Sequence, residues 1–95
     1  MTEFGLAGRV ALVTGGGGNI GGACVLALAR AGADVAVQDV VVERADVLAG
    51  QARALGRRAI VLGGDVAVQE AVREAAARAA RDLGPVDALV NTAGI

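Results

Sequence analysis

Four short apolar runs, Val10–Thr14, Val35–Gln38, Ala59–Leu62 and Ala88–Asn91, alternate along this chain with three longer stretches of helical spacing, and few folds accept that alternation. The runs are mostly Val, Leu, Ile and Ala without polar alternation, as strands covered on both faces are. The first stretch places Ile20, Ala23, Cys24, Ala27, Leu28 and Ala31 on one helical stripe, and Gly32 follows as its stop. A second stripe of Ala45, Leu48, Ala52 and Leu55 ends at Gly56. A third of Val68, Val72, Ala75, Ala76, Ala79 and Leu83 ends at Gly84-Pro85. The fold class expected is α/β. Four parallel strands in the order 3-2-1-4 carry the first two helices on one face and the third on the other, a Rossmann-like arrangement truncated relative to the full doubly wound fold. Residues 1–95 form one partial domain, with a short lead-in before Arg9 and no internal linker.

Composition narrows the chemistry. The chain has no Ser, Tyr, His, Trp or Lys, one Cys and nine Arg. No catalytic residue is assigned: a Ser-His-Asp or Cys-His nucleophile needs a histidine and a Schiff base needs a lysine. No metal site is expected, because an ordinary zinc site needs several His and Cys. Nine basic against ten acidic residues give a net charge of -1 with the signs mixed, and Phe4 is the only aromatic residue. Neither a nucleic-acid nor a membrane surface is therefore expected. A lone cysteine and the lack of a signal-peptide pattern make the cytoplasm the default. Cys24 reads as a small core residue, Glu70, Arg73 and Glu74 as a solvated helix face, and Arg57-Arg58 as a solvated loop.

The chemistry-bearing segment follows the first strand directly: Thr14-Gly15-Gly16-Gly17-Gly18-Asn19-Ile20-Gly21-Gly22, running into the first helix. Glycines let backbone approach a pyrophosphate, and the free N–H groups of a helix start face the anion. The competing reading is a turn that only packs helix against strand. Asp39 ends the second strand, 18 residues beyond Gly21, where a carboxylate accepts hydrogen bonds from ribose hydroxyls and repels a 2'-phosphate. It argues for NAD over NADP. Asp39 can equally cap the second helix, and Asp65 the third.

With these residues in place, the chain resembles the short-chain dehydrogenase/reductase family over nearly its whole length. Val10-Ala11-Leu12-Val13-Thr14-Gly15 is similar to the family's first strand and turn. Asp65-Val66 is similar to its adenine-contacting pair, and Asn91-Thr92-Ala93-Gly94 to its N-N-A-G motif. Two positions depart from the pattern. Asn19 stands at the turn's middle glycine, where Asn tolerates left-handed backbone better than other side chains, and Thr92 replaces the second Asn. The loop also resembles that of the extended, epimerase-like branch, although the ending of the fourth strand favours the compact one.

The resemblance implies an oxidoreductase acting on an alcohol or carbonyl by hydride transfer. It implies that Gly15, Gly17, Gly18, Asn19, Ile20 and Gly21 hold the pyrophosphate and adenosine ribose. Asp39 and Val40 then take the ribose and adenine, and Asp65 and Val66 the adenine ring. Asn91, Ala93 and Gly94 floor the nicotinamide side, Asn91 with a strand-bracing role. The family's catalytic Ser, Tyr and Lys are absent, so this chain is expected to bind NAD without turning over alone. A stand-alone nucleotide-binding or assembly module is the alternative. The fourth strand is expected to form an open apolar edge that favours self-association.

Overall fold

The computed structural model describes residues 5–65 and 69–92, so Val66, Val68, Ala93 and Gly94 lie outside the described residues. The elements run β1 (Val10–Thr14), α1 (Asn19–Arg30), β2 (Asp34–Gln38), α2 (Val42–Ala54), β3 (Ala59–Leu62), α3 (Gln69–Leu83) and β4 (Ala88–Asn91). All strand pairs are parallel and their order is β3-β2-β1-β4, as the alternation requires.

Every residue of β1 is buried, because it lies inside the sheet with helices over both of its faces. On one face Ala11, Val13, Val35 and Val37 pack against Val25 and Ala29 of α1 and Ala45, Ala49 and Ala52 of α2. On the other, Val10, Leu12, Ala36 and Leu62 pack against Ala75, Ala79 and Leu83 of α3. Alternate side chains of one strand feed opposite layers. The helices therefore divide as right-handed crossovers dictate, and the carboxyl ends of β1 and β4 are left as neighbours where the strand order reverses.

The stops of α1 and α2 share one mechanism. After α1 the N–H of Gly32 donates to Ala29 O and that of Ala33 to Leu28 O. After α2 the N–H of Gly56 donates to Arg53 O and that of Arg57 to Ala52 O. Both are Schellman closures, which need the positive φ that Gly32 and Gly56 adopt (111° and 86°).

Three sequence expectations change. The buried positions of α1 are Gly21, Gly22, Val25 and Ala29, while Ile20, Ala23 and Ala27 are exposed, so the helix is turned from the expected stripe. Small glycines, invisible to a hydrophobic count, are what lets α1 approach the sheet. Leu55 is likewise exposed, and Ala49 takes the buried place beside Ala45 and Ala52. Arg58, though exposed, is no idle loop residue: it pairs with Asp34 at 2.9 Å and donates to Leu83 O at 2.9 Å. Cys24 is half-buried against the core, and Glu70, Arg73 and Glu74 are exposed, both as expected. The open edge is also as expected, with Ala88, Leu89 and Asn91 of β4 exposed.

Candidate functional site

The turn after β1 is built by hydrogen bonds that leave a helix start open. Gly15 has φ 70°, and its N–H donates to Gln38 Oε1 at 3.1 Å. The N–H of Gly16 donates to Gln38 O at 2.8 Å, and that of Gly18 to Gly15 O at 3.1 Å. Gly18 then caps α1 with an extended backbone and no side-chain hydrogen bond, and the first turn holds no acidic residue. The N–H groups of Asn19, Ile20 and Gly21 have no acceptor within the helix. They border a cleft of about 320 Å³ lined by Gly15, Gly18, Asn19, Ile20, Gly21 and Thr92. Backbone donors at the positive end of a helix, in a pocket without a carboxylate, suit an anion.

Gly21 is the position where the chain passes itself most closely. A Cβ placed there would overlap the carbonyl oxygen of Gly15 and lie 2.7 Å from Thr92 Oγ1. Only glycine permits this approach. Thr92 fixes the other wall, because its hydroxyl donates to Thr14 O at 2.7 Å and its N–H to the same oxygen at 3.1 Å. Thr14 in turn donates its hydroxyl to Asn91 Oδ1 at 2.7 Å, tying β1 to β4 where they pair. Asn91 thus braces β4 against β1 through this bond.

Asp39 is buried at the end of β2. One oxygen accepts from the N–H of Gly17 at 2.9 Å and the other from the N–H of Val41 at 2.9 Å. It does not cap α2, whose cap is Val41 without a side-chain hydrogen bond. The carboxylate instead ties the glycine loop to the chain after β2, and each oxygen keeps further acceptor capacity. Gly17 accordingly faces Asp39 rather than the anion cleft. Val40 is 62% exposed beside it, and Asp65 is exposed on the neighbouring loop after β3.

Asn19 corrects an expectation. It is the first residue of α1, and no described residue other than glycine has positive φ, so the turn never asks for left-handed backbone at that position. The middle glycine of the pattern is dispensable here for a simple reason: the bend is made at Gly15 and Gly18.

Gln38 is the site residue that sequence reasoning missed. It is 1% exposed, holds the Gly15 N–H with Oε1 and donates Nε2 to the Gly64 carbonyl. A polar residue closing an apolar strand, directly before Asp39, was the available signal. Gln38→Leu should leave both backbone groups without their partner and lower stability by about 1–3 kcal/mol in urea unfolding. An unchanged midpoint would mean the clamp carries no weight.

Among the described residues no group of three His, Cys, Asp or Glu side chains could hold a metal ion, and no helix is long and apolar enough to cross a membrane.

Comparison with known proteins agrees with this geometry. The sequence profile described as short chain dehydrogenase matches residues 9–95. The 2,3-dihydro-2,3-dihydroxybenzoate dehydrogenase of Bacillus subtilis is 37% identical over 95 residues, which are 100% of this chain and 36% of that protein. A short chain dehydrogenase from Burkholderia cenocepacia, solved in complex with NADP, superimposes with a TM-score of 0.89 at 48% identity, covering 95% of this chain and 37% of its own. A 7α-hydroxysteroid dehydrogenase solved with NADH superimposes with a TM-score of 0.87 at 33% identity, covering 93% of this chain and 34% of its own. The chain thus spans little more than a third of the length of these relatives. With a family match over residues 9–95 and a parallel sheet that ends in a glycine-lined cleft, the chain belongs to the short-chain dehydrogenase family.

Proposed function

We propose that this chain is a single partial Rossmann domain that binds NAD and serves as the cofactor half of an oxidoreductase acting on an alcohol or carbonyl. The observation that carries the reading is the cleft at the start of α1, lined by Gly15, Gly18, Asn19, Ile20 and Gly21, with the Asp39 carboxylate held on the other side of the same loop by the Gly17 N–H. In it, Gly15, Gly18, Asn19, Ile20 and Gly21 hold the pyrophosphate through backbone N–H groups and close approach. Gly17, Asp39 and Val40 take the adenosine ribose and one side of the adenine, and Asp65 with Val66 the other. The family resemblance assigns Asn91, Ala93 and Gly94 to the nicotinamide side, and the nicotinamide when bound gives or accepts hydride.

Asp39 supports NAD over NADP, because its carboxylate accepts from the ribose hydroxyls and repels a 2'-phosphate. Relatives of both kinds share the fold, so the preference rests on this residue. The 95 residues contain no Ser, Tyr or Lys to move the proton that hydride transfer to a carbonyl requires. That step belongs to residues outside them. The substrate is a small molecule met only together with those residues. A non-catalytic module is not favoured, since the relatives it matches are dehydrogenases. We place the protein in the cytoplasm, away from nucleic acid and membrane, on its mixed charge and single cysteine. The exposed edge of β4 supports self-association of the isolated chain.

NAD at about 100 times its dissociation constant should stabilise the chain by about 2.7 kcal/mol, read as a rise in its heat-unfolding midpoint. NADP at the same concentration should give a smaller rise. A compact chain whose midpoint neither dinucleotide moves would contradict the reading.

A further inference from the structure

Among the described residues the sheet ends in two edge strands, β3 and β4, and they differ in what covers them. β3 is Ala59-Ile60-Val61-Leu62, apolar and β-prone, with no charge and no proline to discourage a further strand. Its side chains do not guard its edge. Ala59 and Val61 belong to the layer packed with α2, and Ile60 and Leu62 to the layer packed with α3. The backbone of β3 alternates in the plane of the sheet. The carbonyls of Arg58 and Leu62 accept from the N–H groups of Val35 and Asp39 on the β2 side, so those of Ala59 and Val61 point outwards.

α2 supplies what the strand lacks. Arg53, in its last turn, donates Nε at 3.2 Å and Nη2 at 2.7 Å to the Ala59 carbonyl, the first outward acceptor of the edge. This guanidinium occupies the lane, about 4.8 Å from β3, in which the backbone of an added strand would lie. Just beyond the other end of β3, Cγ2 of Val42 stands 3.0 Å from the point that a Cβ of Gly63 would take. We propose that Arg53 closes the β3 edge against strand addition by a second copy of this chain, so that association is confined to the β4 edge. The consequence is a limit on size. A sheet with one open edge stops at a pair, whereas a sheet with two adds copies without closure. The limit rests on the self-association read from β4 above, and the closure of β3 does not.

The test is sedimentation velocity of the parent, Arg53→Ala and Arg53→Lys over a concentration series, with amide hydrogen exchange in the same samples. The parent should reach no more than a pair and exchange its Val61 amide rapidly. Arg53→Ala should form species larger than a pair, and its Val61 amide should slow about tenfold or more as they form, while the amides of β1 stay protected. Arg53→Lys keeps the charge but loses the two-point grip, and should fall between them. An Arg53→Ala chain that sediments as the parent does, or that grows only as β1 loses protection, would overturn the inference. A parent that stays single while Arg53→Ala associates with Val61 protected would overturn the reading of β4 and support the closed edge at β3.

Discussion

Replacing Gly21 by alanine is expected to abolish dinucleotide binding and to destabilise the folded chain by roughly 3 kcal/mol or more. The added methyl would overlap the Gly15 carbonyl and press on Thr92 Oγ1. Two of these three contacting atoms are backbone carbonyl, so no rotamer change relieves them. Relief requires α1 to move away from the turn, which opens the cleft and misaligns the N–H groups at its floor. A domain of this size has of the order of 5–15 kcal/mol of stability in total, so the loss is a large fraction of it. Urea unfolding and NAD titration of the same variant separate the two effects. Gly50, which has open space around its Cβ position, is the control, and Gly50→Ala should leave both readouts near the parent or slightly more stable. Parent-like stability and NAD affinity in Gly21→Ala would mean that the close approach at Gly21 is not required.

The second large effect is expected at Asp39. Asp39→Ala removes the acceptor of two backbone N–H groups, those of Gly17 and Val41, and the carboxylate assigned to the ribose hydroxyls. The stability cost should be about 1–2 kcal/mol, near the low end for lost acceptors because Val41 is exposed and water can replace its bond. NAD affinity should fall at least tenfold, as expected for lost charge-assisted hydrogen bonds, and discrimination against NADP should relax. Asp39→Asn separates these roles. It keeps one acceptor oxygen, removes the charge and sets an amide NH2 against the second backbone N–H, so NADP should gain on NAD while the heat-unfolding midpoint falls no further than in Asp39→Ala. If Asp39→Ala bound both cofactors as the parent does, the assignment of Asp39 to the ribose would be wrong.

The sheet was legible in the sequence because each strand is a short, largely apolar run, as burial on both faces requires of β1 and β2, and β3 and the exposed β4 keep the same character. Only Asp34, at the start of β2, lay outside the expected bounds, since a charged residue at a strand end breaks such a run. The helix stops were legible because a Schellman closure asks for glycine at one position, and Gly32 and Gly56 stand there. The face of α1 was not legible from its apolar stripe. Its tightest contacts are made by Gly21 and Gly22, whose value lies in having no side chain, while Ile20, the most apolar residue of its first turn, is 54% exposed at the cleft.

The candidate site divides in the same way. The glycine turn and Asp39 were readable because phosphate and ribose recognition impose both residue type and spacing. Gln38 was not, because its role comes from where β2 brings it beside the turn rather than from any spacing along the chain. Thr92 was read as a minor departure from a motif. Its hydroxyl instead bonds the carbonyl of Thr14 and forms one wall of the cleft, a function a threonine can perform because its side chain reaches back across the β1–β4 pair.

The most direct test of the account is amide NMR of the isotope-labelled chain during NAD titration. The account predicts that the amide signals of Gly15, Gly18, Asn19, Ile20 and Gly21 and of Asp39 to Val41 shift together and saturate with one dissociation constant, while those of α3 from Arg73 to Leu83 stay in place. Saturating shifts confined to α3, or a folded chain whose spectrum does not respond to NAD, would contradict it.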